Sequence, residues 1–130
     1  MHLNNNEVTL IYNSEDDKGK KTLACAMSLN KKINKQDISN VRVSDTLFEL
    51  MLERLEEEGR RVFNKADPFY QEHMRGKRLS NSEYLEYLKR RPELLSSPIA
   101  MYRNKVVICK TPTDVYKVLT EIPPERDYSE

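Results

Sequence analysis

The sequence lacks the features by which several classes of protein are recognised. Its two cysteines, Cys25 and Cys109, lie far apart and form neither a CxxC pair nor a metal-ligand spacing. No apolar run approaches the roughly 20 residues that are needed to span a bilayer. The net charge of +1 gives no overall attraction to nucleic acid or to an anionic membrane. These absences argue against a secreted disulfide scaffold, a membrane protein and a strongly basic nucleic-acid binder.

The length and composition predict one folded domain. A chain of 130 residues can bury a core without a disulfide or a metal ion. Hydrophobic residues make up only 38% and charged residues 33%, but the apolar residues recur in clear stripes. We place the domain at residues 1–122 and a loose, acidic tail at residues 123–130. The first residues carry no secretion signal, so we expect a cytoplasmic protein.

The first third of the chain predicts a strand, a helix and a second strand. Residues 8–12, VTLIY, form a short apolar run between polar segments, which is typical of a buried strand. Residues 18–30 predict a helix whose inward face carries Leu23, Ala26 and Met27. Residues 33–38 predict a weaker strand because their charge content is high.

The middle of the chain predicts an inserted helical segment. Ser44 is a good N-cap for a helix with an apolar stripe, and a short helix is expected near residues 69–74. Ser80 and Glu83 have the spacing of a capping box at the start of a further helix, which Pro92 ends or interrupts. The residues expected to face inward are Leu47, Phe48, Met51, Leu52, Leu55, Tyr84, Leu85 and Leu88.

The last third predicts a hairpin followed by a helix. Residues 99–102 and 106–109 are short apolar runs, and Arg103-Asn104 between them predicts a tight turn. Pro112 then begins a helix that turns Val115, Val118 and Leu119 inward. A βαβ unit followed by a ββα unit predicts an α/β, thioredoxin-like fold with a mixed sheet.

Several phrases of the sequence resemble the glutaredoxin-coupled arsenate reductase family. Residues 78–119 have the spacing of the module with which that family's sequences close. The module consists of the phrase "NPxLLxRPI", a hairpin, the phrase "GR.P" and a helix. Spx-type transcriptional regulators share this module. The matching phrases are Pro92-Glu93-Leu94-Leu95, Ser97-Pro98-Ile99 and Lys110-Thr111-Pro112. Ala66-Asp67-Pro68-Phe69-Tyr70 resembles the mid-chain "KEPLY", and residues 11–29 resemble the opening "IYHNPxCxxSRxTL". The resemblance covers about residues 8–119.

The resemblance implies a nucleophilic cysteine and three arginines, and this sequence has none of them at those positions. In the family the cysteine attacks arsenic from a helix N-terminus, and the arginines hold the oxyanion. The cysteine position falls on Asp16, and the arginine positions fall on Asn64, Ser97 and Lys110. No residue before Cys25 is a cysteine, so a shifted alignment does not restore the nucleophile. We therefore expect a degenerate family member without catalytic residues. We expect it to act as a binding or regulatory module for a protein partner, since Spx-type relatives bind RNA polymerase.

Two alternatives use other residues. Cys25 is a candidate redox thiol for a thiol-dependent oxidoreductase with glutathione as the reductant, but its place about two turns into the helix favours an inert packing role. Lys18, Lys20 and Lys110 are candidate ligands for an anion-binding module, although cations in a first helical turn are more often simply solvated. Asp16 or Asp17 is expected to cap the first helix.

The remaining expectations concern a backbone feature, partners and cofactors. By resemblance we expect the Ser97–Pro98 peptide bond to be cis and to adjoin the site, although cis bonds make up only about 5–6% of X–Pro bonds. The basic residues between Arg60 and Arg91 could touch nucleic acid or an acidic protein, but acids interleave with them, which favours a solvated face. We expect neither a cofactor nor a metal, since His73 has no partner at metal-ligand spacing. A small-molecule substrate and a membrane partner are not expected.

Overall fold

The computed structural model describes residues 6–40, 44–55 and 61–119, and its centre is a four-stranded mixed sheet. The strands are β1 (Glu7–Tyr12), β2 (Lys32–Asp37), β3 (Ile99–Tyr102) and β4 (Lys105–Ile108), in the order β2-β1-β3-β4. β1 pairs in parallel with β2 and antiparallel with β3, and β3 pairs antiparallel with β4. The predicted α/β, thioredoxin-like fold is confirmed.

Helices cover the sheet and form the predicted insertion between β2 and β3. The α-helices are α1 (Asp17–Met27), α2 (Asp45–Leu55) and α3 (Asn81–Arg90). A π-helical turn (Tyr70–Met74), a short 3₁₀ segment (Pro92–Leu94) and a closing 3₁₀ helix (Pro112–Leu119) complete the order. No helix among the described residues is long and apolar enough to cross a membrane. The predicted tail at 123–130 lies outside the described residues, so the domain limits stay a prediction.

The core lies on both faces of the sheet because side chains alternate along each strand. Ile11, Ile99 and Met101 face the inserted helices, where the apolar stripe of α2 and the inward residues of α3 are buried as predicted. Val8, Leu10 and Tyr12 face α1 and the closing helix, where they pack with Ala26, Val115 and Val118. β1 is therefore buried from both sides, which explains its continuous apolar run.

The starts of α2 and α3 follow from local hydrogen bonds. The Leu47 N–H donates to Ser44 Oγ at 3.3 Å. At α3 the Glu83 N–H donates to Ser80 Oγ at 3.2 Å, and the Ser80 N–H donates to Glu83 Oε1 at 2.8 Å. Both bonds of the predicted capping box are thus present, and they satisfy N–H groups that the helix itself leaves without partners.

The inward face of α1 differs from the prediction. Ala26 is buried, but Leu23 is only half-buried and Met27 is 54% exposed. The buried positions are Gly19, Thr22 and Ala26, which are all small. At its start the helix approaches the preceding loop closely, since a Cβ at Gly19 would lie 2.2 Å from the Asn13 carbonyl oxygen.

The prediction of a cis Ser97–Pro98 bond is wrong. No peptide bond among the described residues is cis. The bond instead has the trans geometry that X–Pro bonds prefer by about 0.5–1 kcal/mol. Pro98 is buried, and its carbonyl oxygen accepts a hydrogen bond from the Cys109 N–H at 2.8 Å, which extends the pairing of β3 with β4.

Candidate functional site

The loops that follow β1 and β2 meet at one edge of the sheet. The two strands are parallel, and their register pairs Tyr12 with Asp37 at the last residue of each. The Ile38 N–H donates to the Tyr12 carbonyl oxygen at 2.8 Å and so continues the pairing. The carboxyl end of β1 leads directly into the loop at residues 13–16, which is the position that the resemblance gives to an arsenic-attacking cysteine. We call residues 13–16 the first loop.

Acceptors within the chain occupy three consecutive N–H groups of the first loop. The Ser14 N–H donates to Asp37 Oδ1 at 3.0 Å, and the Glu15 N–H donates to Asn13 Oδ1 at 3.0 Å. The Asp16 N–H donates to the Asn13 carbonyl oxygen at 3.1 Å. An anion-binding loop holds its ligand with backbone N–H groups that have no other partner. Here those donors already have acceptors.

The Asp37 carboxylate is an internal anion beside the first loop. Besides the Ser14 N–H, it accepts hydrogen bonds from the Ser39 N–H at 3.2 Å, the Ser39 hydroxyl at 2.8 Å and Asn40 Nδ2 at 2.6 Å. Asp37 is only 9% exposed, and this burial opposes ionisation. The hydrogen bonds from Ser14 and Ser39 outweigh the burial and lower the pKa of Asp37 to about 2. Burial first, and the Asp37 charge second, raise the pKa of neighbouring Tyr12.

Asp16, the residue at the cysteine position, is half-buried at the N-cap of α1. Its carbonyl oxygen accepts the Lys20 N–H at 3.0 Å, but its side chain makes no capping hydrogen bond. Asp17 lies in the first turn and forms an exposed ion pair with Lys21, with 3.2 Å between Oδ2 and Nζ. Asp16 therefore takes the predicted N-cap position, but the side-chain hydrogen bond expected of a cap is absent. The Asn13 side chain accepts the Glu15 N–H and closes the loop instead.

Asn64 precedes the π-helical turn and Ser97 precedes β3. The two segments that contain these residues lie side by side. The Asn64 N–H donates to the Leu94 carbonyl oxygen at 2.7 Å, and the Ser96 N–H donates to the Val62 carbonyl oxygen at 2.7 Å. Asn64 Oδ1 accepts the Ala66 N–H at 3.2 Å, so this side chain stabilises its own turn. Ser97 is buried, with 4% of its surface exposed.

The first loop is connected to this second segment. Asn13 Nδ2 donates a long hydrogen bond of 3.4 Å to the Pro92 carbonyl oxygen. Asn13 is itself buried, so its side chain bridges the first loop and the segment that leads to Ser97. The structure thus links the first loop that contains Asp16 to the 3₁₀ segment that begins at Pro92.

The three lysines proposed as anion ligands are not brought together by any described contact. Lys110 and Lys20 are exposed and Lys18 is half-buried, and no described hydrogen bond or ion pair joins their side chains. Beside Lys110, the Thr111 N–H donates to Asp114 Oδ2 at 3.0 Å. This bond lowers the pKa of Asp114, and the Lys117 ammonium at 3.1 Å lowers it further. An ionised acid therefore lies close to the position of the third family arginine.

The two cysteines pack in the same apolar cluster, on the side of the sheet that α1 and the closing helix cover. Cys25 is half-buried on α1, about two turns from its start. Cys109 is fully buried. Burial, and next the charge of Asp114, raise the pKa of the Cys109 thiol to about 12. Since the thiolate is the reactive form, Cys109 is inert in the folded protein.

Thiol labelling should separate the two cysteines. With Ellman's reagent at mildly basic pH, we expect Cys25 in a Cys109→Ser variant to react no faster than free glutathione. Cys109 in a Cys25→Ser variant should react at least about 100-fold more slowly than glutathione, because burial excludes the reagent and the thiolate is scarce. In denaturant both should react alike. Labelling of Cys25 well above the glutathione rate would contradict its packing role and favour a redox thiol.

The sequence did not lead us to predict a role for Asp37 or Gly19. Asp37 accepts the Ser14 N–H of the first loop, and Gly19 lies against the Asn13 carbonyl group of the same loop. Asp37 ends a strand parallel to β1, so the meeting of parallel strand ends at one edge was the signal that could have located it. Gly19 carries no such signal, because its role depends on the distance to the Asn13 carbonyl group. No group of three or more His, Cys, Asp or Glu side chains in residues 6–40, 44–55 and 61–119 could hold a metal ion.

Comparison with known proteins rests on structure. No family model matches the sequence, and no curated protein matches it significantly. An arsenate reductase from Vibrio cholerae superposes with a TM-score of 0.72 at 19% identity, covering 89% of this chain and 100% of that one. A Yersinia pestis protein provisionally assigned as an arsenate reductase has a TM-score of 0.67 at 21% identity, covering 85% of this chain and 98% of that one. The chain therefore has the thioredoxin-like fold that these arsenate reductase structures share.

Proposed function

We propose that this chain is a non-catalytic member of the arsenate reductase/Spx-like family that acts as a binding or regulatory module for a protein partner. The observation that carries the proposal is the hydrogen bonding of the first loop, where Asn13 and Asp37 occupy the N–H groups of Ser14, Glu15 and Asp16. An incoming oxyanion would have to displace these acceptors before it could bind the N–H groups of Ser14, Glu15 and Asp16.

Electrostatics support the same proposal. An arsenate or phosphate dianion at the first loop would meet the ionised Asp37 and the acids Glu15 and Asp16. Two like charges about 4 Å apart repel by roughly 4 kcal/mol at an effective dielectric of about 20. The bidentate arginines that would offset this repulsion are replaced by Asn64, Ser97 and Lys110, and a lysine lacks the planar fork of an arginine.

The alternative is a thiol-dependent oxidoreductase that uses Cys25, which the half-buried state of that residue favours over Cys109. In this case the Cys25 thiolate would displace hydroxide from arsenate and form an As–S bond. A first glutathione thiolate would attack the Cys25 sulfur, so that the As–S electron pair leaves with arsenite and a mixed disulfide forms. A second glutathione would then release the Cys25 thiolate and glutathione disulfide. Cys25 lies beyond the first turn of α1, where the field of the helix end no longer stabilises a thiolate. A weaker alternative is an anion-binding module built on Lys18, Lys20 and Lys110.

An activity assay tests the catalytic half of the proposal. With arsenate, glutathione and glutaredoxin we expect no turnover above the protein-free rate, and the same result for Cys25→Ser. An Asp16→Cys variant should also stay inactive, because it restores the thiol but leaves the N–H donors of the loop occupied. Turnover that Cys25→Ser abolishes would establish the oxidoreductase instead. Turnover gained by Asp16→Cys would contradict the closed loop.

Affinity capture tests the binding half of the proposal. The immobilised chain should enrich a specific protein from an extract of its own cells. That protein should then bind the purified chain at a fixed stoichiometry. The control is an unrelated protein of similar size and charge. Recovery of the same proteins with both baits would argue against a binding module.

A further inference from the structure

A second concave region lies between the π-helical turn and the start of α3, in a part of the chain that the proposed function does not use. It is a cavity of about 240 Å³. Its walls are formed by Tyr70, Met74, Gly76, Lys77, Arg78 and Tyr84. These residues include two cations and two phenols but no carboxylate, so the lining consists mainly of hydrogen-bond donors and positive charge.

The backbone between the two walls has a defined turn. The Arg75 N–H donates to the Tyr70 carbonyl oxygen at 2.8 Å, which closes the π-helical turn. The Lys77 N–H then donates to the Met74 carbonyl oxygen at 3.1 Å. Arg75 has φ −61° and ψ 133°, and Gly76 has φ 74°, which are the values of a type II turn with glycine in its left-handed position. The turn delivers Lys77 and Arg78 consecutively to the cavity.

The two cations at the cavity carry charge that no described acid neutralises. Lys77 and Arg78 are exposed, and within the described part of the chain neither side chain has an ion-pair partner. The acids nearest in sequence are Glu72 and Glu83. Glu72 Oε1 lies 3.7 Å from His73 Nε2, and Glu83 Oε1 accepts the Ser80 N–H at 2.8 Å in the capping box of α3. The cavity therefore presents a charge of about +2 to a ligand at neutral pH.

The aromatic side of the cavity is held in place by ring packing. The Tyr84 ring lies 5.0 Å from the Phe63 ring between centroids, and the Tyr70 ring lies 6.4 Å from it. Phe63 and Tyr84 are both buried, so two elements of the core fix this wall. A wall fixed in advance lowers the entropy that a ligand must overcome on binding.

We propose that this cavity binds a phosphate monoester. A phosphate monoester is a dianion near neutral pH, which matches the combined charge of Lys77 and Arg78. The guanidinium of Arg78 can hold two phosphate oxygens at once, while Lys77 supplies a point charge. A volume of about 240 Å³ is below that of typical drug-sized sites, so it suits a phosphate group with a small organic part or a phosphorylated side chain. The proposal does not depend on whether the first loop is catalytic.

The test is a titration of the full-length protein followed by amide NMR. The probes are O-phosphoserine, a short phosphoserine peptide, inorganic phosphate and, at matched ionic strength, glutamate and sulfate. We expect saturable shifts at the amides of Gly76, Lys77 and Tyr84 with O-phosphoserine, and weaker binding of glutamate. Tighter binding of the peptide than of the amino acid would identify a polypeptide as the source, and the reverse would identify a small metabolite.

Matched variants complete the test. Lys77→Gln/Arg78→Gln should weaken O-phosphoserine binding by about tenfold or more, since two charge-assisted contacts are lost. Lys35→Gln/Arg90→Gln removes the same charge from other exposed positions and should change affinity by about twofold or less. Equal losses in both variants, equal binding of glutamate, or shifts confined to residues outside the cavity would each overturn the proposal. The wild-type shift map decides the question even if a variant folds poorly.

Discussion

Replacing Gly19 with alanine should lower the free energy of unfolding by about 1–2 kcal/mol. A Cβ at this position would lie 2.2 Å from the Asn13 carbonyl oxygen and 3.0 Å from its carbonyl carbon. Both atoms belong to the backbone of the first loop, so a side-chain rotation cannot relieve the contact. Forced overpacking of this kind typically costs about 1–3 kcal/mol. Alanine favours a helix over glycine by about 1 kcal/mol, so a loss of stability would mean that the contact outweighs the helix propensity.

Denaturant unfolding of Gly19→Ala measures this effect, and Lys20→Ala is the matched control. Lys20 is the next residue of α1 and is exposed, so its substitution should change stability by about 0.5 kcal/mol or less. A stabilised Gly19→Ala protein would mean that α1 can move away from the loop at little cost. In that case the close approach of helix and loop would not constrain the first loop.

Substitution of Asp37 by asparagine should destabilise the protein by about 2 kcal/mol at neutral pH. The pKa of Asp37 falls from 3.8 to about 2 on folding, and each pKa unit corresponds to about 1.4 kcal/mol. An asparagine could still accept the Ser14 N–H with its oxygen. Its amide nitrogen would, however, face Asn40 Nδ2, which now donates to Asp37 Oδ2 at 2.6 Å. Two donors would then meet in a half-buried site.

The pH dependence of the free energy of unfolding provides a second test of the role of Asp37. Because the folded pKa of Asp37 is the lower one, its stabilisation is complete above the unfolded value of about 3.8 and is lost as the pH falls toward about 2. The wild type should therefore lose about 2 kcal/mol more than Asp37→Asn over this interval. Asp17→Asn is the control, since Asp17 is 77% exposed and its ion pair with Lys21 should contribute little. Identical pH profiles for wild type and Asp37→Asn would contradict the role given to this carboxylate.

The sequence predicts the fold well where local chemistry decides the structure. The capping box of Ser80 and Glu83 requires only contacts within four residues, and the structure has both of its bonds. The apolar run of β1 and the stripe of α2 likewise follow from periodicity and burial. Each of these features is set by a short segment, so a single sequence contains the necessary information.

The first loop was predicted less well because its chemistry depends on distant parts of the chain. Asp16 looked like a capping residue, but Asn13 closes the loop and Asp37, from the neighbouring strand, takes the Ser14 N–H. Met27 was assigned to the core, but it is 54% exposed, and α1 approaches the loop closely at Gly19. Such outcomes follow from distances between elements, and hydrophobic periodicity does not encode those distances.

The carboxylate of Asp37 competes with external oxyanions for the Ser14 N–H. Any external oxyanion that approached the Ser14 N–H would have to displace a group that is attached to the same chain and lies 3.0 Å from that donor. A tethered competitor has an effective concentration that is set by the geometry of the fold, and dilution does not lower it. Cellular levels of phosphate or arsenate would therefore have little influence on the first loop. Substitution of Asp37 by alanine, in contrast, would remove the competitor from every molecule at once.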